Sequence, residues 1–154
     1  MTPAPRRYVS ELMNPDVVCA RPDMTLGDVA RLLAARGVSG APVVDEHGRV
    51  VGMITQNDIV RHAGRRVTVA EAGRFVTDVD DYRDLGGLPA DLMETPAEKV
   101  MSQPIFAVSR DSSVAVAAHI MRERSVHRLP VTDRGRLVGM LSALDLMRVV
   151  EETC

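Results

Sequence analysis

Apolar residues recur along the chain in two periods, and the whole succession of periods occurs twice. Leu26, Val29, Leu32 and Leu33 stand at i, i+3, i+6 and i+7, one stripe of an amphipathic helix. Their counterparts 88 residues on are Val114, Ala117, Ile120 and Met121. Short runs of β-formers flank each stripe. Residues 17–20 precede the first, and 41–44 and 49–54 follow it; residues 105–108, 129–132 and 136–141 surround the second. Each copy opens with a short helix ending in Met and then Pro, over 9–15 or 95–101, and closes with a helix over 57–62 or 144–151. The pattern predicts β-α-β-β-α, written twice.

Local signals mark the joints. Thr25 and Ser113 stand where N-caps belong, and Gly37 stops the first long helix. Thr95, Pro96 and Glu98 have the form of a capping box with proline at the first helical position. The repeat offset is 88 residues up to Asp45/Asp133 and 87 afterwards. The lost residue falls in the turn between two strands, 45–48 against 133–135, where hairpins tolerate length change.

A unit of about 50 residues buries too little surface to stand alone. The expected fold is therefore α/β (α+β), with the two modules packed sheet to sheet about a pseudo-two-fold axis. The boundaries follow: a flexible lead over 1–7, a first module over 8–62, a linker over 63–94 and a second module over 95–154. Within the linker, Thr68 to Glu71 reads as a capping box opening a short helix through Val76. Asp78, Asp80, Asp81 and Asp84 then crowd one turn. Their spacing is not that of a calcium loop and no His or Cys adjoins them, so they are taken as a solvated loop, with no metal expected.

Composition removes several classes of function. Of 154 residues, 45% are hydrophobic and 26% charged, as in ordinary globular proteins. The net charge of −2 and an aromatic content of 3% provide neither a basic face nor stacking platforms for nucleic acid. No apolar run nears the roughly 18 residues of a membrane span. The lead lacks the form of a signal peptide, and Cys19 and Cys154 suit a reducing compartment, so a cytoplasmic location is expected. There is no nucleophile elbow, Walker loop or paired His, and no reactive Cys beside a His; the chain is not expected to be an enzyme, and no catalytic residue is named.

One motif has chemistry available to it. Thr55-Gln56-Asn57-Asp58 and Ser142-Ala143-Leu144-Asp145 each set a hydroxyl three residues before an acid at a helix start. That geometry is a helix cap with an acid favoured by the macrodipole. It also suits a nucleotide, since a helix N-terminus attracts phosphate and a carboxylate accepts both hydroxyls of a ribose. The second copy adds His127 and Arg128 where the first has Ser39 and Gly40. Such a pair leading into a buried strand calls for an anion nearby. Against this, His127 would be a partly buried core histidine and Arg128 the partner of an acid such as Glu123.

The repeated segments 38–45 with 48–58, and 126–133 with 135–145, together with the Met13 and Met101 helices, resemble a tandem pair of CBS domains, a Bateman module. The resemblance covers about 8–62 and 95–150. It implies a regulatory sensor with no obligatory cofactor, holding an adenosine-containing ligand in the cleft between the repeats. AMP, ADP and ATP are the usual ligands, with S-adenosylmethionine in some members. Asp58 and Asp145 would hold ribose hydroxyls, with Thr55 and Ser142 near ribose or phosphate. Val38 and Val126 would flank adenine through their backbones, and His127 and Arg128 would meet phosphate. Ser39 and Gly40 depart from that basic pair. The resemblance also implies a homodimer and an effector protein, of unknown identity, that receives the signal. The alternative is a ligand-free dimerisation and protein-interaction module.

Overall fold

The computed structural model describes residues 7–64, 90–103 and 106–153. The linker helix over 68–76, the Asp78–Asp84 cluster and Cys154 lie outside them. The elements are α1 (Val9–Leu12), α2 (Leu26–Arg36), β1 (Gly40–Val44), β2 (Val50–Thr55) and α3 (Gln56–Gly64). After them come α4 (Ala90–Met93), a 3-10 turn (Ala97–Lys99), β3 (Val108–Ser109), α5 (Val114–Arg124), β4 (Arg128–Asp133), β5 (Arg136–Ser142) and α6 (Ala143–Thr153). The chain is an α/β protein with two β-α-β-β-α repeats.

The caps of the two long helices form where the sequence puts them. The Thr25 hydroxyl accepts the Asp28 amide at 3.2 Å, and the Ser113 hydroxyl accepts that of Val116 at 3.3 Å. Gly37 ends α2 at φ +63°, in the left-handed region that costs a glycine nothing. Ser125 ends α5 in the same conformation, at φ +53°. The Thr95 capping box does not form. Thr95 Oγ1 donates instead to the Asp91 carbonyl at 2.9 Å, and the Ala97 and Glu98 amides donate to Met24 and Pro22 carbonyls. Tertiary pairing thus takes the donors a free helix start would have had to cap.

Two compact units result, one from residues 18–46, 51–64 and 90–103, the other from 7–17, 47–50 and 106–153. In the first, β1 and β2 pair, and Ala20 bridges Val43 in parallel. Leu26, Val29 and Leu33 of α2 are buried with Val43, Ile54 and Ile59, each fully buried side chain of this size contributing about 1.5–3 kcal/mol. In the second, β3 runs parallel to β4, which pairs antiparallel with β5. Its core joins Leu129, Val131 and Leu141 to Val108, Ala117 and Met121.

The units cut across the sequence repeats. Val9 and Leu12, from the helix that opens the first repeat, are buried in the core of the second. Asn14 exchanges both backbone hydrogen bonds with Met140, at 2.8 and 2.9 Å. Conversely, Ser102 pairs with Met53 at 2.8 and 3.2 Å. Each leading methionine sits over a glycine of the other repeat. A Cβ on Gly139 would lie 2.8 Å from Met13 Sδ, and one on Gly52 would lie 2.5 Å from Met101 Sδ. The glycines are there because the thioethers approach so closely.

Candidate functional site

Both hydroxyl–acid motifs sit where a strand turns directly into a helix, and both are reciprocal caps. In the first unit Thr55 N and Thr55 Oγ1 donate to Asp58 Oδ2 at 2.9 and 3.0 Å, while Asp58 N donates to Thr55 Oγ1 at 3.2 Å. In the second, Ser142 N donates to Asp145 Oδ2 at 2.8 Å and Asp145 N donates to Ser142 Oγ at 3.1 Å. The first amide of each helix is occupied too: Gln56 N donates to the Ser39 carbonyl and Ala143 N to that of His127, at 2.9 and 2.8 Å. The helix starts therefore offer fewer free backbone donors than the spacing alone suggests, and the acids themselves hold the turn closed.

The two carboxylates differ in what surrounds them. Asp58 is 8% exposed, and its Oδ1 accepts a hydrogen bond from Ser102 Oγ at 3.1 Å. Asp145 is half-buried, and its Oδ1 has no partner among the described residues. The residue corresponding to Ser102 is Asn14, whose Oδ1 accepts the Asp16 amide at 3.0 Å and leaves Asp145 alone.

The basic pair is exposed, which removes the burial cost that would have demanded a counter-ion. His127 and Arg128 lie on the surface at the start of β4. Arg128 is register partner to Ser142, so its side chain leaves the sheet beside the hydroxyl of the cap. The expected pairing with Glu123 is absent; Glu123 lies 3.9 Å from Arg122, and Arg128 has no ion-pair partner among the described residues. At the matching place in the first unit, Gly40 leaves no room: a Cβ there would lie 2.9 Å from Thr55 Cγ2 and 3.1 Å from the Ile54 carbonyl. The extra methyl of Thr55 over Ser142 occupies the space that a side chain at position 40 would need.

Val38 and Val126 are partly buried beside their own cores, and Ser39 is exposed. The structure thus brings Arg128, Ser142 and Asp145 to one strand–helix turn, with His127 adjoining through its carbonyl, and brings Ser39, Thr55 and Asp58 to the other. Ser102 joins the second set unforeseen, because it lies 44 residues from Asp58 and no local spacing links them. Among the described residues no cluster of His, Cys, Asp or Glu could hold a metal, and no helix is long and apolar enough to cross a membrane.

An uncharacterised protein of Methanocaldococcus jannaschii is 26% identical over 144 residues, which are 94% of this chain and 32% of that one; the chain thus spans about a third of that relative. The CBS domain of a CBS domain-containing membrane protein from Sphaerobacter thermophilus has the same fold, with a TM-score of 0.69, 28% identity and coverage of 93% and 87% of the two chains. The CBS domain pair of protein MJ0100, solved with 5′-methylthioadenosine and S-adenosylmethionine, matches in fold with a TM-score of 0.68 at 20% identity, over 97% of this chain and all of that one. The CBS domain model itself matches residues 9–65 and 97–152, the two repeats read from the apolar pattern, and the chain belongs to the CBS domain family.

Proposed function

We propose that the chain is a regulatory sensor that binds an adenosine-containing ligand, AMP, ADP or ATP first and S-adenosylmethionine second, and passes the change to an effector protein. The observation that carries this reading is the turn at Ser142. Among the described residues, a carboxylate with one oxygen unengaged lies in the same helix turn as a hydroxyl whose register partner is an exposed arginine with no ion-pair partner. Asp145 Oδ1 can accept a ribose hydroxyl, and hydrogen bonds to a charged acceptor contribute roughly 1.5–3 kcal/mol. The Arg128 fork can take phosphate oxygens in pairs, with His127 beside it; the Val126 N–H is already given to the Met121 carbonyl at 3.0 Å, which leaves the Val126 carbonyl to meet the base. A protein of the same fold holds two adenosyl ligands, which supports the ligand class. Dimerisation of the chain belongs to the same proposal.

A second reading has its own support. Leu144, Met147 and Val150 of α6 are 79%, 54% and 54% exposed and lie at i, i+3 and i+6, an apolar stripe on a helix whose other face is already packed. A ligand-free interaction module would need that stripe and would use the two acids as caps only.

Thermal shift with AMP, ADP, ATP, NAD and S-adenosylmethionine separates the two. A ligand at 100 times its Kd adds about 2.7 kcal/mol of stability. Asp145→Ala combined with Arg128→Ala is expected to abolish the shift while circular dichroism shows the fold retained. No shift with any of the five, or an unchanged shift in the double variant, favours the interaction module.

A further inference from the structure

We infer that the chain takes one such ligand, at the Ser142–Asp145 turn, because Ser102 closes the corresponding turn of the other repeat. The inference rests on the function proposed above. Both oxygens of Asp58 are already engaged, Oδ2 by the amide and hydroxyl of Thr55 and Oδ1 by Ser102 Oγ at 3.1 Å. Ser102 is not a chance neighbour. Its backbone is bridged to Met53 in both directions, and the methionine before it is seated on Gly52, so the hydroxyl is held over the carboxylate. A ribose diol arriving there would have to displace that hydroxyl from a nearly buried acid. It would find no arginine at the position of Arg128 in return. Gly40, packed against Thr55 Cγ2, stands where the second repeat has Arg128.

The second repeat reverses each of these features. Asn14, at the place of Ser102, turns its side chain to the Asp16 amide. Ser142 lacks the methyl that crowds Gly40, and position 128 accordingly carries an arginine. Two turns with the same hydroxyl–acid spacing thus differ, one with its acid engaged at both oxygens and the other with an open acceptor beside a cation.

Isothermal titration of the full chain with AMP and with ATP, read alongside amide chemical-shift mapping, tests this. One site per chain is expected, with shifts concentrated at residues 128 and 142–145 and absent from 55–58. Asp145→Asn should weaken binding about ten- to hundredfold. Ser102→Ala, which removes the contact from Asp58 without touching the other turn, should leave affinity at the occupied site within twofold and restore a measurable second site only weakly, since Gly40 still supplies no charge. Two equal sites in the parent, or shifts at 55–58 at the same ligand concentration, overturn the inference while leaving the proposed function intact. Absence of binding by the parent with both probes overturns the function itself, and the inference with it.

Discussion

Gly139→Ala tests the crossing of the leading helices most directly. The added methyl would lie 2.8 Å from Met13 Sδ, 3.1 Å from Met13 Cγ and 3.0 Å from the Asn14 carbonyl oxygen. The thioether can swing aside, but the carbonyl cannot do so cheaply, because Asn14 is pinned to Met140 by hydrogen bonds at both its N–H and its C=O. The bridge must therefore give by a few tenths of an ångström, which places the change in the overpacking range of about 1–3 kcal/mol. For a chain of this length that lowers Tm by about 2–12 °C. At Gly52 the three nearest atoms all belong to the Met101 side chain, so Gly52→Ala should cost less. Urea unfolding would show a lower midpoint with an unchanged slope. Adding Met13→Ala to Gly139→Ala removes two of the three close contacts, so the double variant should lose less than the sum of the singles. Wild-type stability for Gly139→Ala, or strict additivity in the cycle, would refute the packing of the first repeat's methionine on the second repeat's strand.

Two further outcomes follow from local geometry. A Cβ on Gly37 meets nothing within 4 Å, so Gly37→Ala should lose about 1 kcal/mol from left-handed backbone alone, and Ser125→Gly should gain about as much, both measurable by chemical denaturation. The Arg31 guanidinium, 2.6 Å from Asp28 Oδ1, holds that carboxyl below the usual carboxylate range, with the Thr25 hydroxyl assisting. Because the folded pKa is depressed, any stability from the pair is present above the unfolded pKa of Asp28 and lost as pH falls through the folded one. Arg31→Ala should raise the Asp28 titration midpoint in an NMR pH series, and added salt should move it the same way.

Much of this fold was legible from residue pattern. The caps at Thr25 and Ser113, the stop at Gly37 and the strand pairs all follow from short-range chemistry that the sequence displays openly. The crossing of Met13 and Met101 does not, and duplication is the reason. Each repeat carries both a methionine and a glycine to receive it, so pairing within a repeat and pairing across repeats satisfy the same residues. Thr95 misled for a related cause: its hydroxyl had a backbone acceptor four residues earlier, in α4, that no cap preference could reveal. The site was half visible. Thr55, Asp58, Ser142 and Asp145 announced themselves by spacing, whereas the closure of one turn by Ser102 depends on a contact made through tertiary bridging. Their place before a buried strand suggests a burial that His127 and Arg128 do not have; exposure makes them available rather than compensated.

The threading of α1 into one core and of residues 97–103 into the other has a consequence for dividing the chain. A polypeptide severed between its copies yields two fragments, each lacking a helix or bridge that the other supplies. Neither half would keep all of its core contacts and bridges, although each carries a full repeat. Co-expressed, the fragments should complement one another and purify together; expressed singly, each would present a bare glycine groove with no thioether to fill it.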